Sequence, residues 1–328
     1  MPEVTESFLR DQLLLRKGRL ETAARALNPP PGIVQLLGEV DSALARMEAG
    51  AYGLCDVCHD PVETDRLLAD PLVRLCLDHL NPEERRALEQ DLELASQLQR
   101  ELLPKKDMQF AGWTVAYCYQ PLGLVSGDYC DLVTHEDGSQ NLFFAIGDVA
   151  GKGVAASLLM SQLRAILRTL SPAAIAPHVL MERAGRVFCE GTMSAFFATL
   201  ICGRADSSGA IELCNAGHCP ALFVQQQKVS RLEATGVPLG MFCNGVYATQ
   251  KVRLAPGDTL FLYTDGISEA RCPTDEEYGD MRLQGFLEQN RHLPSEALIR
   301  GCLDDLLAFR SGQPRLDDLT AMAIQRIQ

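Results

Sequence analysis

The sequence predicts an α+β protein in two parts: a small helical, cysteine-bearing module, then a larger domain of sheets flanked by helices. Three observations lead there. Helical periodicity fills much of the first hundred residues. From residue 112 the pattern changes to β-type apolar runs. These runs cluster in hairpin-like groups and do not alternate strictly with helices, which favours antiparallel sheets over a doubly wound parallel one. The length of 328 residues suits two domains, and 47% hydrophobic content is enough for a real core.

The elements follow in order. Residues 6–27 have helical periodicity and good helix formers, and Asn28-Pro-Pro-Pro-Gly32 stops them. Residues 33–48 form a second amphipathic helix, with Ile33, Leu36, Leu37, Val40 and Leu44 on one stripe. The two are expected to fold back as a hairpin. Residues 51–80 are broken by turns and hold three cysteines and two histidines. Asn81 as N-cap and Pro82 in the first turn open a third helix that runs to about Leu103. Leu88, Leu92, Ala95, Leu98 and Leu102 line one of its faces. That face either lies on its own domain or forms a parallel dimeric coiled coil, and a homodimer through this linker is expected. The predicted domains are 1–80, the linker 81–104, and 105–328.

Beyond the linker, WTVAYCYQP, NLFFAIGDV, AFFATLICGRA, AIELCNAGH, ALFVQQ and DTLFLYTDG read as strands. Helices are predicted over 154–170, 176–191 and 294–309, with a closing strand at 320–327. There is no internal repeat and no low-complexity tract.

Composition excludes several functions. A net charge of −13 argues against direct DNA binding, which needs a positive surface. The N-terminus lacks a signal peptide, and no apolar run reaches transmembrane length. Of the twelve cysteines, those outside the 55–76 cluster are scattered singly. They read as reduced, partly buried thiols, so a cytoplasmic location without membrane contact is expected.

Cys55-x2-Cys58, seventeen residues, then Cys76-x2-His79 is the spacing of a structural zinc site. His79 reproduces the first pair's spacing; His59, beside Cys58, is the competing fourth ligand. The segment GAYGLCDVCHDPVETDRLLADPLVRLCLDH (50–79), with ALARMEAG leading into it, resembles the zinc finger of DksA/TraR-type proteins. That family usually has cysteine where this chain has His79. The hairpin here is short with a proline-rich turn, so the resemblance implies a zinc fold and not the transcription-factor activity.

Four acidic motifs sit at strand edges: Ser126-Gly127-Asp128, Ile146-Gly147-Asp148-Val149, Tyr263-Thr264-Asp265-Gly266 and Asp317-Asp318-Leu319-Thr320. Any single Asp-Gly, such as Asp137-Gly138, is ordinarily a turn. Four together offer the carboxylate oxygens that hard cations such as Mg2+ or Mn2+ take. Gly151-Lys152-Gly153 lacks the spacing of a nucleotide-binding P-loop. His218 in Asn215-Ala-Gly-His218 reads either as a proton donor or as a structural histidine.

LELASQLQRELLP (92–104), YQPLGLVSGDYCDL, AIGDVAGKGVAASLLM, CNAGHCPALF, GVPLGM, LFLYTDGISEA and DDLTAMAI together resemble a PPM-type phosphatase of the SpoIIE/RsbU branch over residues 92–327. The resemblance implies an α-β-β-α sandwich and hydrolysis of phosphoserine or phosphothreonine with two Mn2+ or Mg2+ ions. Asp148 would bridge the metals, with the carbonyl of Val149 as a further ligand. Asp265 and Asp317 would hold one metal, with Asp318 as the alternative to Asp317, and Asp128 would act near the site or through its waters. No counterpart of the phosphate-holding arginine of eukaryotic PPM enzymes can be placed. The resemblance also implies a phosphoprotein substrate of the STAS anti-anti-sigma type in a partner-switching circuit, with the N-terminal module as regulator. The alternative is a non-enzymatic zinc-finger transcription regulator.

Overall fold

A computed structural model describes residues 3–24, 32–79, 82–106, 108–134, 141–171, 175–192, 196–225 and 228–327. The proline stretch 28–31, the expected N-cap Asn81 and the Asp137-Gly138 turn lie outside them. The chain divides into two compact units, Met1–Glu93 and Leu94–Gln328. The division falls inside the third long helix.

The first unit holds α1 (Glu3–Ala24), α2 (Ile33–Glu48), α3 (Thr64–Ala69) and a 3₁₀ turn (Leu77–His79), and α4 (Pro82–Glu101) begins in it. α1 packs on α2 as the expected hairpin. Leu9 and Leu13 of α1 meet Val40, Ala43 and Met47 of α2 in one buried cluster, which Tyr52, Cys55, Val62, Leu67 and Cys76 complete. So small a cluster leaves the unit dependent on a cross-link.

The second unit is a four-layer sandwich. Its elements are β1 (Met108–Phe110), β2 (Trp113–Gln120), β3 (Asp128–Thr134), β4 (Leu142–Val149), α5 (Gly153–Leu170), α6 (Pro177–Gly191), β5 (Ala198–Ala205), β6 (Ala210–Ala216), β7 (Ala221–Val224), β8 (Val229–Leu232), β9 (Gln250–Arg253), β10 (Thr259–Tyr263), α7 (Asp265–Ser268), α8 (Gly279–Asn290), α9 (Ser295–Arg310) and β11 (Leu319–Arg326). One sheet runs β1-β2-β11-β10-β7-β8 and the other β3-β4-β5-β6-β9. Every pairing between these strands is antiparallel.

The layering is written in the strands' two-residue period. In β4, Leu142, Phe144 and Ile146 face the inter-sheet core, where Leu260, Leu262, Met322 and Ile324 of the other sheet meet them. The alternate residues Phe143, Ala145 and Val149 face α5 and α6, against Met160, Leu163, Leu167 and Phe188. On the far side Phe261, Tyr263, Ala321 and Ala323 pack under α8 and α9. Each of the larger apolar side chains among them stabilises the fold by roughly 1.5–3 kcal/mol on burial.

The sequence did not predict β1, β8, β9, α3, α7 or α8, and it put Ser126-Gly127-Asp128 at a strand edge without bounding β3. β8 and β9 are short edge strands of mixed polarity. β3 is almost wholly buried yet carries two aspartates, which obscured its extent. Asp131 is tolerated there because Arg168 grips both its oxygens, at 2.6 and 2.5 Å, and Tyr129 donates its hydroxyl at 2.9 Å.

One expectation is corrected. Cys189 at the end of α6 and Cys243 in the loop before β9 are joined in a disulfide, with Cα atoms 5.3 Å apart. They lie 54 residues apart in sequence, so only the folded chain brings them together. Burial pushes the Cys118 and Cys219 thiols up to about 12, which keeps them protonated.

Candidate metal centre

Both sheets deliver aspartates to one end of the sandwich. Asp128 opens β3 and stands directly opposite Asp148 of β4 in the antiparallel register. Asp265 follows β10, and Asp317 and Asp318 precede β11, its antiparallel neighbour. Asp128 is buried and ties the two sheets together. Its Oδ2 accepts from Thr264 Oγ1 at 3.0 Å and from Thr320 Oγ1 at 2.5 Å. Thr264 and Thr320 stand beside predicted aspartates but had no assigned role.

The carboxylates raise one another's proton affinity. Burial pushes Asp148 up to about 8; Asp265, Asp317 and Asp318 add to this and Lys152 opposes it. Burial and then Asp317 raise Asp265, and burial and then Asp148 raise Asp128 well above the usual carboxylate range. Burial also lies behind these shifts, but the mutual repulsion marks a site short of positive charge. Val149 belongs to the same spot. A Cβ placed on Gly127 would lie 3.0 Å from the Val149 carbonyl oxygen and 3.3 Å from Asp148 Oδ1. A set of carboxylate and carbonyl oxygens, poorly neutralised and built on strand ends, fits hard divalent cations.

Asp317 and Asp318 differ. Asp318 Oδ1 accepts from the Leu122 amide at 2.6 Å, and Oδ2 accepts from Ser126 Oγ at 2.7 Å and the Gly127 amide at 3.0 Å. It therefore holds the 122–127 loop. Asp317 Oδ2 instead meets Lys152 Nζ at 2.8 Å. Gln99 of α4 clamps the same loop: its Nε2 donates to the Ser126 carbonyl at 2.8 Å, and the Ser126 amide donates to its Oε1 at 3.0 Å. Sequence reading missed this clamp, because a lone glutamine in a helix carries no signal. Gly266 is required by close approach, since a Cβ there would fall 1.8 Å from the Asp318 carbonyl oxygen.

His218 is buried, and that burial lowers it to about 4, so it is neutral near pH 7. Its Nδ1 lies 2.7 Å from Thr199 Oγ1, and Asn215 Oδ1 accepts from its amide at 2.8 Å. The geometry favours the structural histidine over the proton donor.

In the first unit, Cys55, Cys58, Cys76 and His79 bring their ligand atoms within 4.8 Å of one another. Cys58 and Cys76 sulfurs are 3.7 Å apart, and His79 Nδ1 is 3.2 Å from Cys76 Sγ and 3.9 Å from Cys55 Sγ. Those spacings suit a tetrahedral thiolate–imidazole site. His59 is not part of the group.

The comparisons with known proteins follow the same division. Residues 138–327 match the family model of Stage II sporulation protein E. The chain belongs to the SpoIIE family. Residues 50–78 match the prokaryotic DksA/TraR C4-type zinc finger. Here the fourth candidate ligand, His79, lies just past that match. Similar proteins include Protein IcfG of Synechocystis, 28% identical over 72% of this chain and 41% of that protein. Phosphoserine phosphatase RsbU of Bacillus subtilis is 26% identical over 73% of this chain and 71% of RsbU. The chain thus spans less than half of IcfG. Among solved structures, the SiaA-PP2C domain of Pseudomonas aeruginosa shares the fold with a TM-score of 0.64 at 19% identity, covering 75% of this chain and 98% of that one. The RsbU and RsbW domains of Rv1364c from Mycobacterium tuberculosis give 0.56 at 28% identity, over 69% and 62%. The α-β-β-α sandwich implied by the sequence resemblance is the one observed.

Proposed function

We propose that this chain is a metal-dependent protein phosphatase that hydrolyses phosphoserine or phosphothreonine. The observation that carries the reading is the convergence of Asp148, Asp265 and Asp317 from two sheets into one poorly neutralised cluster. Membership of the SpoIIE family and likeness to phosphoserine phosphatase RsbU support it.

Asp148, the Val149 carbonyl, Asp265 and Asp317 are the residues that would hold two Mn2+ or Mg2+ ions. Such ions would supply Lewis acidity, activating an attacking water and neutralising phosphoryl oxygens. Asp128 positions these groups from behind, through Thr264 and Thr320, and Asp318 fixes the loop that carries Asp128. Rigid strand ends keep the carboxylates in place without reorganisation. Cys55, Cys58, Cys76 and His79 would hold a structural Zn2+.

The substrate is read as a serine- or threonine-phosphorylated partner-switching protein of the STAS type, by analogy with RsbU. The N-terminal unit would act as regulator, and α4 as a dimer contact. Of the expected contact face Leu98 is 62% exposed while Leu88, Leu92, Ala95 and Leu102 are half-buried; Leu94, off that face and 56% exposed, adds apolar surface. A cytoplasmic site is proposed; no helix among the described residues is long and apolar enough to cross a membrane.

The test is turnover of a phosphoserine peptide with and without Mn2+. Wild type should hydrolyse it only with metal, and Asp148→Asn should lose on the order of 10³-fold or more. Wild-type turnover in that variant would sink the assignment.

A further inference from the structure

Among the described residues, Lys152 is the cation that forms an ion pair with the aspartate cluster. It sits in the turn between β4 and α5. Its Nζ is 2.8 Å from Asp317 Oδ2 and 2.8 Å from the Leu316 carbonyl oxygen. Both are oxygen donors of the kind a hard cation takes, so the ammonium occupies a cation's place at Asp317. It is also the positive charge felt by Asp148 and Asp265. The side chain is 59% exposed and Asp317 is 41% exposed, so the pair is screened and readily broken. An ammonium on a four-carbon stem can swing without moving the backbone.

Resting on the phosphatase reading above, we propose that Lys152 is an exchangeable counter-ion. In the metal-free protein it neutralises Asp317. When a dication takes Asp317, the ammonium is displaced and becomes the positioning cation for the substrate's phosphoryl oxygens. The charge logic is simple. A dication at Asp317 would repel an ammonium 2.8 Å from the same oxygen, and a dianionic phosphoryl group bound at the cluster would attract it. This gives the site a phosphate-facing cation in a chain where no N-terminal arginine could be assigned that role. It also makes metal and lysine competitors in one state and allies in the next.

The exchange predicts opposite effects of one substitution. Calorimetry on the full chain, with zinc kept in the finger, measures Mn2+ affinity without substrate. Lys152→Met should bind Mn2+ about fivefold more tightly than wild type, because a weak screened competitor is gone. In the Mn2+-loaded protein the same variant should bind inorganic phosphate about tenfold more weakly, while Lys152→Arg keeps phosphate affinity near wild type. Unchanged or weaker Mn2+ binding in Lys152→Met overturns the counter-ion role. Unchanged phosphate affinity in that variant overturns the positioning role. If Mn2+-loaded wild type neither binds phosphate nor hydrolyses a phosphoserine peptide, the phosphatase reading itself fails; the Mn2+ comparison still reports on the ion pair.

Discussion

Asp317 and Asp318 share a peptide bond and divide two tasks. Asp318 accepts from three donors of the 122–127 loop, so its loss removes the carboxylate that joins the Ser126 hydroxyl and the Leu122 and Gly127 amides. Asp318→Ala is expected to cost about 2–4 kcal/mol of stability by urea denaturation. Asp317→Ala should cost under about 1 kcal/mol yet weaken Mn2+ binding by roughly tenfold or more in calorimetry, since its charged partner is a largely exposed ammonium and its other partner is the adjacent Asp318 amide. The reverse pattern would exchange the two assignments. Sequence left this pair open because adjacent carboxylates are indistinguishable until their neighbours are known.

His218 carries a pH signature at the same scale. Its folded value is lowered to about 4, below the unfolded value near 6.5. The unfolded state therefore binds the proton first as pH falls. Stability from the neutral imidazole is fully present above about pH 6.5 and is lost as pH falls toward 4, by at most on the order of 3 kcal/mol. Urea midpoints of wild type and His218→Asn between pH 7 and 5 check this. Wild type should lose more stability across that window; parallel curves would remove His218 as the source.

At the scale of elements, α7 can start against β11 only because residue 266 has no side chain. Gly266→Ala would drive a methyl into the Asp318 backbone, which cannot swing aside. We expect a loss of roughly 3 kcal/mol and a collapse of Mn2+ affinity. Gly285→Ala in α8, where a Cβ meets nothing within 4 Å, should be neutral or slightly stabilising. Equal urea midpoints for the two variants would show that the approach is not tight. The sequence read α2, α5, β2 and β4 well because their apolar periods run unbroken. It did not bound β3, where Asp128 and Asp131 break the apolar pattern and are satisfied in part by Thr264, Thr320 and Arg168, all distant in sequence.

At the scale of the whole molecule, the two units have separate cores and different supports. Among the described residues, the inter-sheet core of the second unit is built from the second unit alone. The N-terminal unit relies on few apolar side chains around Cys55 and Cys76. Chelation of the zinc proposed for Cys55, Cys58, Cys76 and His79 should strip hydrogen-exchange protection from α1, α2 and the cysteine turns while β4 and β11 stay protected. Unchanged protection after verified metal loss would mean that the ligand set is not structural.

The sequence alone determined the antiparallel sheet class, the cysteine–histidine ligand spacing and the order of the aspartate motifs, because each is carried by neighbours a few residues apart. Only the tertiary structure decided that Asp318 is a loop anchor, that Lys152 stands at Asp317, that Gln99 clamps Ser126 and that Cys189 meets Cys243. Each of these depends on a contact across at least 27 residues of chain. Local periodicity carries no information about such contacts. They exist only once two sheets have packed and brought their strand ends to one place.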